Sequence, residues 1–425
     1  MAEAVGVQFV DMVVRWLSIV VVLLAWYAWH LKHAIQAQLF PKDLPPLFSA
    51  GRKCELVQDN RFKFCEDGLV YGRKWELVQD NRFKFCEDGL VYAPGIAVFS
   101  CDPGRHEWNT VMGPMRNPDP RGSLWALHYN STTTKEPYPL ELTNFPTHAD
   151  FHPLGIEITP ADPTGTSRLL VVNHRRENST IEVFCIRHDQ ESLALEYEMT
   201  LTDRAFVAPN AIAAISPTSF ILSHDHYFTR RMVWPFNMVL PALETFLALP
   251  LSQVDLVTFE PLKGVRQVQT IVRNIPFANG VAVSKDGSTL AVASTTRAQV
   301  LFYSLYSGDK MDVKFVTLVQ VPFSVDNIAF AGDRLLAAGH PYLPELMALI
   351  KQKSTRAPSH VVEITPQAGD TWSRSTRLAV MSVSTVFTSD GSFLSSSSGA
   401  FMDLDTGTMF VVALYGAAVA KCSLV

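Results

Sequence analysis

"GVAVSKDGSTLAVASTTRAQVLFYSL", residues 280–305, holds three short apolar runs, the first two separated by an Asp286-Gly287 pair. An Asp-Gly pair between β-branched runs is a hairpin signal, so the stretch predicts strand, turn, strand, loop, strand. The plan returns in "TGTSRLLVVNHRRENSTIEVFCIRHD" (164–189) and closes the chain in "DTGTMFVVALYGAAVAKCSLV" (405–425). "SPTSFILSHD" (216–225) and "VDNIAFAGDRLLAAGHP" (325–341) look like further inner strand pairs. Meanders spaced by several tens of residues predict propeller blades, which protect their sheet edges by radial repetition. Blades of four strands and about 50–65 residues fit five to seven times into the chain after its N-terminal part. A large β-sandwich is the rival architecture.

The bulk numbers suit one large packed domain: 425 residues, 48% of them apolar and 18% charged, with 26 prolines and 22 glycines favouring short elements. A net charge of −5 without a basic tract argues against a nucleic-acid partner. Six cysteines, none in a Cys-x-x-Cys pair, leave room for one or two structural bridges rather than a disulfide scaffold.

The N-terminus reads differently. Residues 13–31, "VVRWLSIVVVLLAWYAWHL", are nearly all apolar, and about 19 helical residues approach the thickness of a bilayer core. With no small-x-small site after the run, an uncleaved signal-anchor over residues 1–35 is expected rather than a cleaved leader. Residues 36–50 carry "PKDLPPLF" and read as an extended linker, leaving 51–425 for the propeller. Sequons at Asn130 and Asn178 add to the expectation of a secretory-pathway protein, membrane-anchored with a lumenal or extracellular propeller, or secreted. Two segments break the β pattern. "RRMVWPFNMVLPALETFLALPLSQ" (230–253) reads as a helix on the propeller face or as a lid or membrane-touching helix, and "PYLPELMALIKQKSTRAPS" (341–359) as a short helix and exposed loop.

No Gly-x-Ser-x-Gly elbow, His-Glu-x-x-His or phosphate-binding glycine loop is present. Instead, Asn210, Asn279 and Asp326-Asn327 each fall just before a predicted inner strand. The starts of inner strands converge at one end of a propeller's channel, and their side-chain oxygens are hard ligands suited to Ca²⁺. Turn formation before strands is the plain alternative for the same residues.

At these residues the chain resembles the paraoxonase/arylesterase family. "VVNH", "SHDHYF", "FANG", "VDNI", "GHP" and the terminal "KCSLV" occur in that family's order, from about Cys54 to the C-terminus. The resemblance implies a six-bladed β-propeller with calcium in its tunnel, hydrolysing lactones or aryl esters. It implies a catalytic ion held by the Glu of a Glu-Asp pair with Asn210, Asn279, Asp326 and Asn327. A second, structural ion would use the Asp of that pair and the Ile156 carbonyl, but Ala211 stands where the family has a carboxylate. The family's water-activating histidine pair maps to His174 and Leu154, and leucine carries no proton. His152 and His340 are the other candidates for that role, and Asp225 and His226 are expected to orient loops and line the pocket. The resemblance also pairs Cys54 with Cys422 in a disulfide closing the ring. The apolar insert suggests a small lipophilic lactone or ester as substrate, and membrane contact through the N-terminal segment and 230–253. A calcium-stabilised propeller used for binding or structure is the alternative from another class.

One oddity remains. Residues 51–71 and 72–92 are the same 21-residue segment written twice, with Cys54 in one and Trp75 in the other. Only the second "CEDGLVY" runs into an apolar strand, so Glu87 and Asp88 are expected at the metal. The first copy, keeping the cysteine, is expected to close the ring while the repeat bulges out.

Overall fold

The computed structural model describes residues 16–22, 24–29, 31–32, 73–129, 136–188, 193–307, 311–366, 372 and 381–424. The 280–305 stretch folds as its pattern predicts, into Ala278–Val283, Thr289–Ser294 and Gln299–Ser307, with Gly287 at φ +71° in the turn. Met311–Gln320 completes a four-stranded antiparallel sheet. Thr289–Ser294 is buried throughout and Met311–Gln320 is mostly exposed or half-buried. A strand covered on both faces carries a continuous apolar run, whereas the outer one needs polar positions.

This sheet is blade four of six. Blade one is Cys86–Ala93, Ile96–Cys101, Ser123–His128 and Tyr138–Pro139. Blade two runs Pro153–Ile158, Arg168–His174, Ser179–His188 and Leu193–Leu201, with Leu142–Thr143 added parallel to its outer edge. Blade three is Pro209–Ser216, Ser219–His224, Ser252–Glu260 and Gly264–Ile275, and blade five Ser324–Ala331, Arg334–His340, Ser359–Pro366 and Met381–Ser389. Blade six takes Ser397–Asp403, Thr408–Ala413 and Val419–Leu424 from the chain's end and Arg73–Val78 from its beginning. The inner strands touch their neighbours in sequence order, and the first touches the last, so the ring closes.

The closing strand corrects one expectation. Arg73–Val78 belongs to the second copy of the repeat, not the first, and its register sets Trp75 opposite Cys422. The Lys421 ammonium, buried, meets the Glu76 carboxylate at 2.8 Å on the same strand pair. Taking both the closing strand and the first inner strand from one copy needs only the natural connection 79–85, with no 21-residue bulge. The first copy, Cys54 and therefore the Cys54–Cys422 pairing lie outside the described residues. A disulfide does join Cys86 to Cys101, which face each other across blade one.

Every inner strand breaks register near its start: at Cys86/Asp88, Pro153/Ile156, Pro209/Ile212, Ala278/Val281, Val325/Ile328 and Ser397/Gly399. Such a bulge turns a side chain out of the ladder. Here the residues released are those lying at the tunnel: Glu87, Leu154, Asn210, Asn279, Asp326-Asn327 and Ser398. Close approach at this level requires Gly280, where an added Cβ would stand 2.7 Å from Asn327 Cα.

The 230–253 segment forms a helix, Phe236–Phe246, and 341–359 contains the helix Leu343–Ile350. Helical residues also occur at 16–22, 24–29 and 31–32. There the Tyr27 hydroxyl donates to the Leu247 carbonyl and Leu31 packs on Ala248. Among the described residues no helix is long and apolar enough to cross a membrane.

Candidate active site

An antiparallel blade returns the end of its second strand to the level where the first begins. This places His174, His224-Asp225, Thr295-Thr296 and His340 at the same end of the tunnel as the bulged residues. Together with the loop after Cys101 and the two helices they enclose a cavity of about 130 Å³. Its floor includes Glu87, Asn210, Asn279 and Asp326, and its walls Trp108, Val111, Phe246, Phe277 and Leu346.

The floor is a cluster of oxygen atoms without protein partners. Asn327 Nδ2 donates to Glu87 Oε1 at 2.7 Å, and Asn210 Nδ2 to Asp225 Oδ2 at 3.3 Å. With the amide nitrogens turned to carboxylates, the carbonyl oxygens are the atoms left over. Asn210 Oδ1, Asn279 Oδ1, Asn327 Oδ1 and Glu87 Oε2 are all buried and accept nothing. Burial, then the charges of Asp88 and Asp326, hold the Glu87 carboxyl well above the usual range. Buried polar atoms are rarely left unmatched, and several converging orphan oxygens with a carboxylate suit a hard cation. Calcium fits this donor set. Among the described residues, no three His, Cys, Asp or Glu side chains alone gather as a metal site, so the cradle depends on its asparagines.

The second ion does not fit. Asp88 Oδ1 accepts Gly89 N–H at 2.8 Å and Oδ2 accepts Ile156 N–H at 2.9 Å, while Ala211 offers no carboxylate. Burial raises Asp88 to about 7. Neither Asp88 nor Ile156 lines the cavity.

The histidines differ in what their nitrogens do. His174 has Nδ1 2.8 Å from Thr110 Oγ1 and Nε2 2.7 Å from the Pro209 carbonyl. A carbonyl only accepts, so Nε2 carries the proton and Nδ1 accepts from Thr110. Burial lowers His174 to about 4, holding the ring neutral. His152 Nδ1 meets Asp102 Oδ2 and Nε2 meets the Pro118 carbonyl, both at 3.0 Å. In His340, Nε2 meets Asp326 Oδ2 at 2.9 Å and buried Nδ1 has no partner. All three rings line the cavity, as do Leu154 and Asp225.

His226 stands behind the wall, its Nε2 2.7 Å from Thr245 Oγ1 and its Nδ1 3.3 Å from Asp225 Oδ1. Glu244 accepts the Tyr227 and Phe228 N–H groups at 2.9 Å each, so the Phe236–Phe246 helix is fastened to the "DHYF" loop it covers. Of the two sequons, Asn178 is exposed in the turn before Ser179–His188, and Asn130 lies outside the described residues.

Sequence reasoning missed Asp102, Arg105, Trp108 and Thr110. The signal available was the blade rule itself, because residues following a blade's second strand return to the mouth.

The arylesterase family model matches residues 90–418. The chain belongs to the arylesterase family. It is therefore a hydrolase of the esterase/lactonase type. It is 30% identical over 305 residues to serum paraoxonase/lactonase 3 of Oryctolagus cuniculus, covering 70% of this chain and 77% of that one. Against serum paraoxonase/arylesterase 1 of Mus musculus it is 32% identical over 232 residues, 53% of this chain and 59% of that one. Among solved structures, a gluconolactonase from Xanthomonas campestris overlays with a TM-score of 0.43 at 13% identity, over 83% of this chain and 89% of that one.

Proposed function

We propose that this family member is a calcium-dependent hydrolase of small lipophilic lactones and aryl esters. The observation that carries the reading is the set of four partnerless buried oxygens beneath an apolar-walled cavity. Glu87, Asn210, Asn279, Asp326 and Asn327 would hold the ion. Calcium bound there supplies charge that polarises an ester carbonyl and offsets the negative charge developing on its oxygen.

The chain's own residues do the rest. Nε2 of His340 donates to Asp326, which leaves Nδ1 unpartnered on a ring that lines the cavity, and this nitrogen takes the proton of the attacking water. His174 and His152, with both nitrogens engaged, position the surrounding loops. Leu154 and the aromatic walls exclude water around the acyl group.

The reading extends to place. The Cys86–Cys101 bridge suits an oxidising compartment. Exposed Val233, Trp234, Phe236, Met238 and Leu243 lie on the segment that receives the N-terminal helical residues, themselves largely apolar and exposed. This shared surface supports membrane association beside the cavity mouth, with the N-terminal segment as anchor.

The test is hydrolysis of a δ-lactone and of phenyl acetate by the full chain, with calcium and then with chelator. Turnover should vanish on chelation, return with calcium, and be absent in Asn279→Ala. Turnover indifferent to both would refute the reading.

A further inference from the structure

Arg105 is a buried cation with few partners. It lies in the loop after blade one's second strand, 4% exposed, and lines the cavity. Its Nη2 donates to the Pro153 carbonyl at 3.3 Å, and its buried Nε meets no acceptor. Among the described residues no carboxylate lies within ion-pair distance of it. Arg230, also on the cavity wall, is different: its Nε and Nη2 donate to the Val111 and Met112 carbonyls at 3.1 and 3.2 Å. That arginine ties the loop to the insert.

A guanidinium has five N–H donors in a planar fork. Taking one out of water with its donors mostly unmet is costly unless an anion completes it. The space before Arg105 is walled by Trp108, Val111, Phe246 and Leu346, so the anion that fits carries an apolar tail. Resting on the hydrolase reading of this cavity, we propose that Arg105 is its anion-binding residue. It receives the carboxylate of an apolar monocarboxylic acid, the class of product that ester or lactone hydrolysis leaves. Fork-to-carboxylate pairing is the strong, directional form of such a contact. The competing role is a fixed counter-charge for Glu87 and Asp102, which share the cavity.

The experiment is calorimetric titration of the full chain with hexanoate and with hexanamide, its uncharged counterpart. Each titration is run with calcium and again after chelation, so that the metal-free arm isolates the arginine. The wild type should bind hexanoate about tenfold or more tighter than hexanamide in both states. Arg105→Gln should erase that preference and leave hexanamide binding unchanged, and Arg105→Lys should keep part of it. A wild type without the preference in the metal-free state overturns the assignment, and this arm needs no variant. So does a preference that survives Arg105→Gln. Lower unfolding stability of metal-free Arg105→Gln with the preference intact would assign the counter-charge role instead and also overturns it. An Arg105-dependent preference in a chain that hydrolyses neither ester nor lactone would sustain this assignment while refuting the hydrolase reading.

Discussion

His174 and His340 occupy matching places on opposite sides of the ring. Each is the last residue of its blade's second strand, in blades two and five. Both are buried and both line the cavity. Yet Thr110 and the Pro209 carbonyl occupy both nitrogens of His174, whereas Asp326 takes one nitrogen of His340 and leaves the other bare. The strand delivers a histidine to the tunnel mouth in either case. What the histidine can do there is decided by its partners: a loop hydroxyl and a blade-three carbonyl for His174, and an aspartate of its own blade for His340.

The largest effect expected from breaking this contrast is at His340. Replacing it by Ala should lower kcat for a δ-lactone by about 10²–10⁴, while His174→Gln lowers it far less in the same steady-state assay. The reverse ranking would return the proton-transfer role to His174. Next comes the layer that holds both rings at one level. Gly280→Ala forces a Cβ onto the Asn327 backbone, and denaturant unfolding should show a loss of about 1–3 kcal/mol. Thr110→Val strips the donor from His174 Nδ1, and the same unfolding experiment should show a loss of about 1 kcal/mol, with hydrolysis nearly unchanged.

The smallest effect is a pH slope. His174 sits at about 4 in the fold against 6.5 in the free chain, so acid favours the unfolded form, which binds the proton first. Its contribution to stability is whole above 6.5 and is lost as the pH falls from 6.5 to about 4. From 6.5 to about 5.5 the loss is on the order of 1 kcal/mol. His174→Gln should flatten the unfolding free energy over that interval relative to the wild type.

Much of the fold is legible in the chain because inner propeller strands are short, apolar and turn-bounded, as 280–305 shows. The positions of the cradle residues are legible too, since Asn210, Asn279 and Asp326-Asn327 fall at the starts of those strands. The bulges that aim them are not, because register belongs to a pair of strands and a single strand's pattern does not encode it. For the same reason the Cys86–Cys101 bridge and the Trp75–Cys422 pairing emerge only in three dimensions. The split between the histidines depends on Thr110, 64 residues from His174, and on a carbonyl 35 residues away. No local pattern reports such distant partners. Arg105 was invisible for another reason: a lone arginine following a Pro103-Gly104 turn reads as solvated surface until its burial is seen.

The most direct test of the cradle is calorimetric titration of the metal-stripped full chain with calcium. Coordination by Glu87 and the three asparagine oxygens predicts one ion bound per chain, with affinity falling about tenfold or more in Asn279→Ala. Absence of calcium binding, or binding that Asn279→Ala leaves unchanged, would contradict it.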